Sequence, residues 1–295
     1  MESPIFPEFK KIQLTDINTI TGFTNGFPPF SDFNATSLIC WNANRDNSFS
    51  FLNNNLVIKI KDYLNEGYVY SILGTTQIDN SINTLFQEGI EVLSMTPEVC
   101  INSIENPDTF EIQEDKDSFD YIINTHEFTK LSDKNIRKKI NKFINSNTNL
   151  ETKIIDLSNR DQIETIINLN STWGMSKDFS KAKIDEDFVS INSFINISDK
   201  INSLAVGIYI NDKLVGFTLN ELLNEKWAMG HFGKSINDLK YCSLYCEYAT
   251  EKELASRGID FINIQQDAGL PGLRETKSGY HPAYYLKKYK ISKKN

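Results

Sequence analysis

From Ile262 to Tyr280 the chain reads Ile-Asn-Ile-Gln-Gln-Asp-Ala-Gly-Leu-Pro-Gly-Leu-Arg-Glu-Thr-Lys-Ser-Gly-Tyr, and His281 and Pro282 follow. An apolar start gives way to two amides (Gln265, Gln266), an acid (Asp267), two bases (Arg274, Lys277) and a phenol (Tyr280). A carboxylate can take a proton, and cations can meet developing negative charge. Arg274 and Lys277 stand three apart, so a helical turn places them on one face. Each residue also has a plain structural use. Asp267 can cap the turn at Gly269, Arg274 and Lys277 can be solvated surface, and Tyr280 and Tyr289 can be core residues.

The segment must be held by elements that the pattern predicts. A strand over 259–264 feeds it, and before that strand a helix over 244–257 stops at Gly258. Hairpins are expected around Asn53-Asn54-Asn55 and around Asn211-Asp212-Lys213, each between apolar runs. Further strands are expected at 68–73, 90–94, 110–113, 121–124, 153–156 and 227–233. Helices are expected at 15–23, 35–41, 78–87, 97–104, 161–173 and 185–196, with a polar connection over 174–183. Over 130–146, Leu131, Ile136, Ile140, Phe143 and Ile144 recur at helical spacing. Lys130, Lys134, Lys138 and Lys142 follow at four-residue intervals, with Arg137 and Lys139 beside them. Two α+β units, each with a hairpin, suggest one fold used twice. The expected partition is 1–129, a basic connecting helix at 130–147, and 148–295 carrying the site.

Bulk properties narrow the function. The 295 residues carry a net charge of −8 and 40% hydrophobic residues, enough for two cores. The acids concentrate in residues 1–129, with 19 against 6 bases, whereas 281–295 hold five lysines and no acid. A polyanion would therefore meet the second half. Four cysteines (Cys40, Cys100, Cys242, Cys246) form no CxxC pattern and read as buried thiols. No metal site is expected, and with three histidines a His-based triad is not indicated. His126 and His231 follow apolar strands with nothing in sequence to make them ligands, and His281 reads as a turn residue. The N-terminal Met-Glu-Ser-Pro shows no leader pattern, and no apolar run is long enough to span a membrane. A cytoplasmic location is expected, with peripheral contact at the inner membrane face an option through the lysine-rich 287–294 tail.

Two stretches carry a resemblance. Asp120-Tyr-Ile-Ile, Leu131 and Lys138-Lys-Ile-Asn-Lys-Phe143 form one. Ile262-Asn263, Gln266-Asp267, Gly269, Gly272-Leu-Arg274, Lys277, Tyr280, Pro282 and Lys288-Tyr289 form the other. Together they resemble the phosphatidylglycerol lysyltransferase C-terminal-domain family. Ile264 and Gln265 depart from it where the family has Arg and Glu, and Ile140 stands where it has Arg. The resemblance implies a tandem GNAT-like fold, mixed sheets flanked by helices. It also implies transfer of an aminoacyl group from aminoacyl-tRNA to an acceptor such as a lipid hydroxyl or small amine. Known members carry a membrane-embedded segment ahead of this domain, and none is read here.

For such a transfer Asp267 is the candidate general base or nucleophile-orienting group. Lys277 and Arg274 are candidates for oxyanion or phosphate contacts. Gln265, Gln266, Asn263 and Tyr280 are candidate substrate contacts. Lys134, Arg137, Lys138 and Lys142 are candidates for tRNA or another anion, against the plain reading of a solvated helix face. The alternative donor is acyl-CoA, the only cofactor considered. A CoA loop should lie between the 227–233 strand and the helix from Leu244, but residues 234–243 contain no glycine, which hinders close backbone approach to phosphate. A third reading is a non-catalytic relative that binds a ligand in the same cleft.

Overall fold

The computed structural model describes residues 3–42, 46–62, 67–175 and 181–294. Two compact units emerge. The first holds Met1–Tyr121, Gln266–Glu275 and Tyr285–Asn295; the second holds Ile122–Gln265 and Thr276–Tyr284. This differs from the contiguous partition expected from sequence. The basic helix lies inside the second unit, and two C-terminal segments belong to the first.

The first unit contains β1 (Lys10–Lys11), α1 (Ile17–Thr24), α2 (Ala35–Cys40), β2 (Ser48–Leu52), β3 (Asn55–Lys61), β4 (Tyr68–Leu73), α3 (Ile78–Gln87), β5 (Val92–Pro97), α4 (Glu98–Ile101) and β6 (Phe110–Glu114). The chain then enters β7 (Asp120–Asn124), whose last three residues fall in the second unit. That unit continues with α5 (Thr125–Thr129), α6 (Lys134–Ser146), β8 (Leu150–Ile154), α7 (Arg160–Met175), α8 (Lys181–Ile197), β9 (Ser203–Ile210), β10 (Lys213–Leu222), β11 (Trp227–Ser235), α9 (Cys242–Ser256) and β12 (Phe261–Asn263). Last come α10 (Pro271–Ser278), β13 (Tyr284–Leu286) and β14 (Lys288–Lys293).

Among the described residues seven strands form each sheet, in the orders β1-β2-β3-β4-β5-β14-β6 and β13-β7-β12-β11-β10-β9-β8. Both are mixed: β4 runs parallel to β5 and β11 to β12, while their other described pairings are antiparallel. Mixed sheets with helices at their flanks are what the resemblance implies.

Local chemistry explains both hairpins. Asn53 and Asn54 have φ of 50° and 60°, Asn211 and Asp212 of 49° and 60°. A two-residue hairpin turn of this kind needs left-handed backbone at both positions, which Asn and Asp tolerate best after Gly. Gly258, at φ 82°, follows the end of α9 as expected.

Several expected elements shift. The helix expected over 130–146 starts only at Lys134. Leu131 turns left-handed at φ 52°, and Asp133 caps α6 by accepting the Asn135 and Ile136 N–H groups at 2.7 and 2.8 Å. Lys130 thus leaves the basic face and pairs with Glu127. The helix expected at 97–104 contracts to α4, and the strand expected at 90–94 moves to β5. Of the polar 174–183 connection, 174–175 end α7, 181–183 begin α8, and 176–180 lie outside the described residues. The lysine-rich tail is no frayed end: β14 sits between β5 and β6, with Lys288 fully buried.

In the second unit Ile136, Ile140 and Phe143 of α6 join a core with Ile123, Val206, Ile208, Leu254 and Ile262. Helix α9 lies close against β10 because Gly216 has no side chain. A Cβ there would stand 2.4 Å from Cys246 Sγ and 3.3 Å from Ser235 Cβ. Gly216→Ala is therefore expected to lower stability by about 1–3 kcal/mol, read as a lower urea midpoint; an unchanged midpoint would show the contact to be soft. The four cysteines are buried thiols, as the sequence suggested.

Candidate active site

The parallel pairing of β11 with β12 is short: Trp227, Ala228 and Met229 face Phe261, Ile262 and Asn263. Then β12 ends while β11 runs on to Ser235, so the two chains part company beside Gly230 and His231. On the other side of β11, Leu219 pairs with Phe232 but Asn220 pairs with Gly230, which leaves His231 as an extra residue in a bulge. Adjacent strand residues normally point to opposite faces; a bulge re-aims one of them. Here His231 and Phe232 both reach Phe194 of α8, with ring centroids 5.3 and 6.0 Å away.

The bulge brings His231 to two polar partners. Its Nε2 lies 3.2 Å from Glu221 Oε2, and its Nδ1 lies 3.4 Å from the Gln265 amide nitrogen. The His231 side chain is 0% exposed and that of Glu221 12%. The same Gln265 nitrogen donates to the Gly230 carbonyl at 2.9 Å. Gln265 itself holds a left-handed φ of 63°, a strained conformation for a non-glycine residue, and its N–H donates to Asn263 Oδ1 at 2.6 Å. The sequence offered nothing to make His231 a ligand, and the structure gives it a carboxylate partner. Its partner comes from the neighbouring strand, at a separation no motif records. Further along β11, Lys234 pairs with Asp187 of α8 at 2.7 Å and lies 3.6 Å over the Trp173 ring.

Helix α9 carries a second polar group in the same unit. Glu247 and Glu251 stand one turn apart. Glu251 is 0% exposed, and among the described residues neither of its carboxyl oxygens has a hydrogen-bond partner by distance and angle. Burial pushes Glu247 up to about 7 against the pull of the Lys277 ammonium. Burial and then the Glu247 charge push Glu251 well above the carboxylate range. Lys277 is therefore an electrostatic neighbour of this pair. Tyr280 is buried at 8% exposure, its hydroxyl 3.4 Å from that of Ser243. Burial pushes its phenol up, so it stays neutral.

Asp267 belongs to the first unit and is 1% exposed. It accepts two hydrogen bonds from Arg274, both at 2.8 Å, one from the Gly269 N–H at 2.8 Å and one from the Tyr121 hydroxyl at 2.5 Å. Burial works to raise its carboxyl, but Arg274, Tyr121 and Gly269 outweigh it and hold it below the ordinary value. Arg274 is shared with Asp117 at 2.6 Å, and these contacts raise its own affinity for its proton. Gln266 donates to Asp32 at 3.2 Å. Asp32 and Asp120 flank the buried Lys288 ammonium, with the Ser31 hydroxyl and N–H completing Asp120's shell at 2.5 and 2.8 Å.

The structure thus joins Asp267 with Arg274, and Gln265 with Asn263. Lys277 is placed beside Glu247, and Gln266 beside Asp32. Lys134, Arg137, Lys138 and Lys142 line one open hollow of about 580 Å³ on α6, with Asn141, Asn145 and Ser146. Several participants were missed, Glu221 beside His231 and Asp32 beside Gln266 among them. Tyr121, Asp117 and Lys288 are recruited over long sequence separations. Glu247 and Glu251 did leave a signal: two acids at helical spacing on a helix with no polar face.

A family profile, "Phosphatidylglycerol lysyltransferase, C-terminal", matches residues 30–292. No curated protein matches the chain. Among solved structures, a conserved protein of unknown function from Bacteroides thetaiotaomicron VPI-5482 is similar at TM-score 0.80 and 23% identity, covering 97% of this chain and 99% of that one. L-PGS from Bacillus licheniformis is similar at TM-score 0.65 and 13% identity over 97% and 93%. FemX is similar at 0.60 and 8% over 98% of each chain. At these identities the structural likenesses bear on the fold alone, which is α+β with two GNAT-like units in tandem.

Proposed function

Because the chain belongs to the phosphatidylglycerol lysyltransferase C-terminal family, whose members are acyl-transferring enzymes, we propose that it moves an aminoacyl group from aminoacyl-tRNA to a nucleophilic acceptor. A lipid hydroxyl is the first candidate acceptor, a small amine the next. The observation that carries the choice of donor is α6. Its buried stripe of Ile136, Ile140 and Phe143 turns Lys134, Arg137, Lys138 and Lys142 outward around one hollow. Cations spaced along one helical face suit a phosphate backbone.

The helix that would meet a CoA pyrophosphate supports the same choice. It begins after Tyr241, a left-handed non-glycine residue at φ 69°, and the Cys242 N–H is already given to the Leu239 carbonyl at 3.0 Å. The loop before it contains no glycine, the residue at which close backbone approach to phosphate is easiest. On this reading Arg274, fixed by Asp267 and Asp117, and Lys277, one turn further on α10, meet the negative charge of donor or oxyanion. Asp267 acts by holding Arg274, since its oxygens already accept four hydrogen bonds. Gln265 is the substrate contact offered by the second unit, its backbone fixed by the buried Asn263. Transfer takes place in the cytosol, at the membrane's inner face when the acceptor is lipid.

The test is label transfer. Pooled tRNA charged with labelled amino acids is mixed with the protein and phosphatidylglycerol vesicles or small amines, and products are identified by mass spectrometry. Expected is a labelled product whose formation is abolished by RNase pretreatment of the tRNA, and no rise in melting temperature with acetyl-CoA. A rise with acetyl-CoA and no transfer from tRNA would favour the acyl-CoA alternative, and neither response the ligand-binding one. Reversing Lys134, Lys138 and Lys142 to Glu is expected to weaken tRNA binding and to flatten its dependence of log affinity on log salt by about 2–3. An unchanged slope would remove α6 from the interface.

A further inference from the structure

The proposed transfer asks Lys277 to meet negative charge, and a lysine ammonium on its flexible stem must be held in place to do so. We infer that Glu247 and Glu251 share one proton and together position the Lys277 ammonium, which makes both of them positioning residues of the transfer. The inference rests on the aminoacyl-transfer reading above, and the residues it joins all lie in the second unit.

Three observations converge on this pair. The first is placement. Ser243, Glu247 and Glu251 follow at steps of four along α9, so they line up on one side of it. That side meets the turn that ends α10. The Ser243 hydroxyl lies 3.4 Å from the Tyr280 hydroxyl, the Tyr280 N–H donates to the Lys277 carbonyl at 3.2 Å, and the Lys277 charge acts on Glu247. The second is the want of donors. Glu247 Oε1 and both Glu251 oxygens are buried, and among the described residues no donor group reaches them. Carboxylates only accept hydrogen bonds, so two of them in contact cannot satisfy each other, whereas an acid beside a carboxylate can. The third is charge balance. Two acids touching in a dry place cannot both ionise, so the pair keeps one proton and one negative charge, matching the single ammonium of Lys277. Glu251, 0% exposed, is the acid, and Glu247, on which Lys277 acts, is the carboxylate.

The other groups around α9 leave the pair to Lys277. Burial and Glu247 push Tyr280 up, and Cys242 and burial push Cys246 up, so both stay neutral. Helix α5, packed on α9, pairs His126 with Asp260 and Lys130 with Glu127. Helix α6 turns Lys134, Arg137, Lys138 and Lys142 to its hollow and meets α9 through Phe143 against Tyr245. From the strands beneath, Val206, Ile208, Gly216 and Thr218 face α9 without charge. The consequence is a dependence on pH. Burial raises Glu247 to about 7 against Lys277 and Glu251. Above that pH its carboxylate holds the ammonium; below it the pair is neutral and the hold is lost.

Three measurements on the full chain test the pair. Infrared difference spectra at pH 7.5 are expected to show one protonated-carboxyl C=O stretch in the wild type that Glu251→Gln lacks; its absence would overturn the shared proton. In the label-transfer assay kcat is expected to rise through about pH 7 in the wild type. Glu247→Gln should lose that limb and about 10–100-fold in kcat at pH 8. Glu251→Leu, which cannot donate to Glu247, should move the limb up by about one pH unit, and Glu251→Gln, whose amide can donate, should recover most of that change. If the wild type transfers label and every variant keeps its rate and limb, the pair positions nothing and the transferase reading stands. If the wild type transfers nothing from any charged tRNA, the transferase reading falls, and limiting acetic anhydride then reads the pair through Lys277 itself. An ammonium beside a carboxylate keeps its proton, so Glu247→Gln is expected to raise acetylation of Lys277 about tenfold at pH 8.5, and equal acetylation would overturn the pair.

Discussion

Lys288→Ala is expected to destabilise the protein by about 3–5 kcal/mol, because it leaves two acids in the interior without their counter-charge. The ammonium is 0% exposed and lies 2.9 Å from Asp120, with Asp32 on its other side. Burial works against its charge, but Asp120 and Asp32 outweigh burial and raise its proton affinity. Burial, opposed by Lys288 and reinforced by Asp120, pushes Asp32 up to about 6. The lysine thus supplies the counter-charge to two buried acids. The variant's loss should shrink when Asp32→Asn is added, since one stranded charge is then gone. The check is urea unfolding at pH 7 for the two single variants and the double. A single-variant loss under about 1 kcal/mol would mean that water reaches the cluster and solvates it.

The second expected result concerns pH. Glu251→Gln should make the protein more stable at pH 8 by about 1–3 kcal/mol while changing little at pH 4.5. The sign follows from which state holds the proton. Burial raises Glu247 from an ordinary 4.5 to about 7, and burial with the Glu247 charge raises Glu251 further. Between pH 4.5 and 7 the folded protein therefore binds more protons than the unfolded chain. The stability of this protonated pair is complete below 4.5 and is lost as pH rises through 7 and above. One carboxyl raised by that amount corresponds to about 3 kcal/mol. Asp32, raised to about 6, acts in the same direction. Asp267, held low, contributes stability that is present above about pH 4 and lost below it, so it does not mask the effect. Wild-type stability should fall between pH 5 and 8, and the variant's curve should be flatter. A wild-type curve that is level or rising over that range, with Glu251→Gln parallel to it, would show that the two acids are solvated.

A protein that keeps two buried acids near Lys277 and a salt-bridged lysine in its other unit invests polar groups where apolar ones would pack. Both clusters adjoin segments of the 262–289 stretch that carries the family resemblance. Such cost is tolerated where geometry serves chemistry.

Local sequence was sufficient for much of this molecule. The asparagine turns, the stop at Gly258 and the apolar stripe of α6 each depend on neighbours within one turn or one hairpin. Backbone preference and side-chain periodicity act over that range, so one chain can be read for them. The partnership of Arg274 with Asp267 was half visible, since their spacing of seven suits a turn and a helix. The rest depended on closure of the sheets. His231 meets Glu221 because β10 and β11 pair with one residue to spare, and a bulge leaves no mark in composition. Lys288 looked like one of five tail lysines until β14 entered the sheet between β5 and β6, where its inward face is buried while Lys290 and Lys293 stay exposed. Whether a charge is paired, buried or idle is set by what the fold brings beside it across a hundred residues or more, and electrostatic energy depends on that distance and on the loss of water, neither of which is written along the chain.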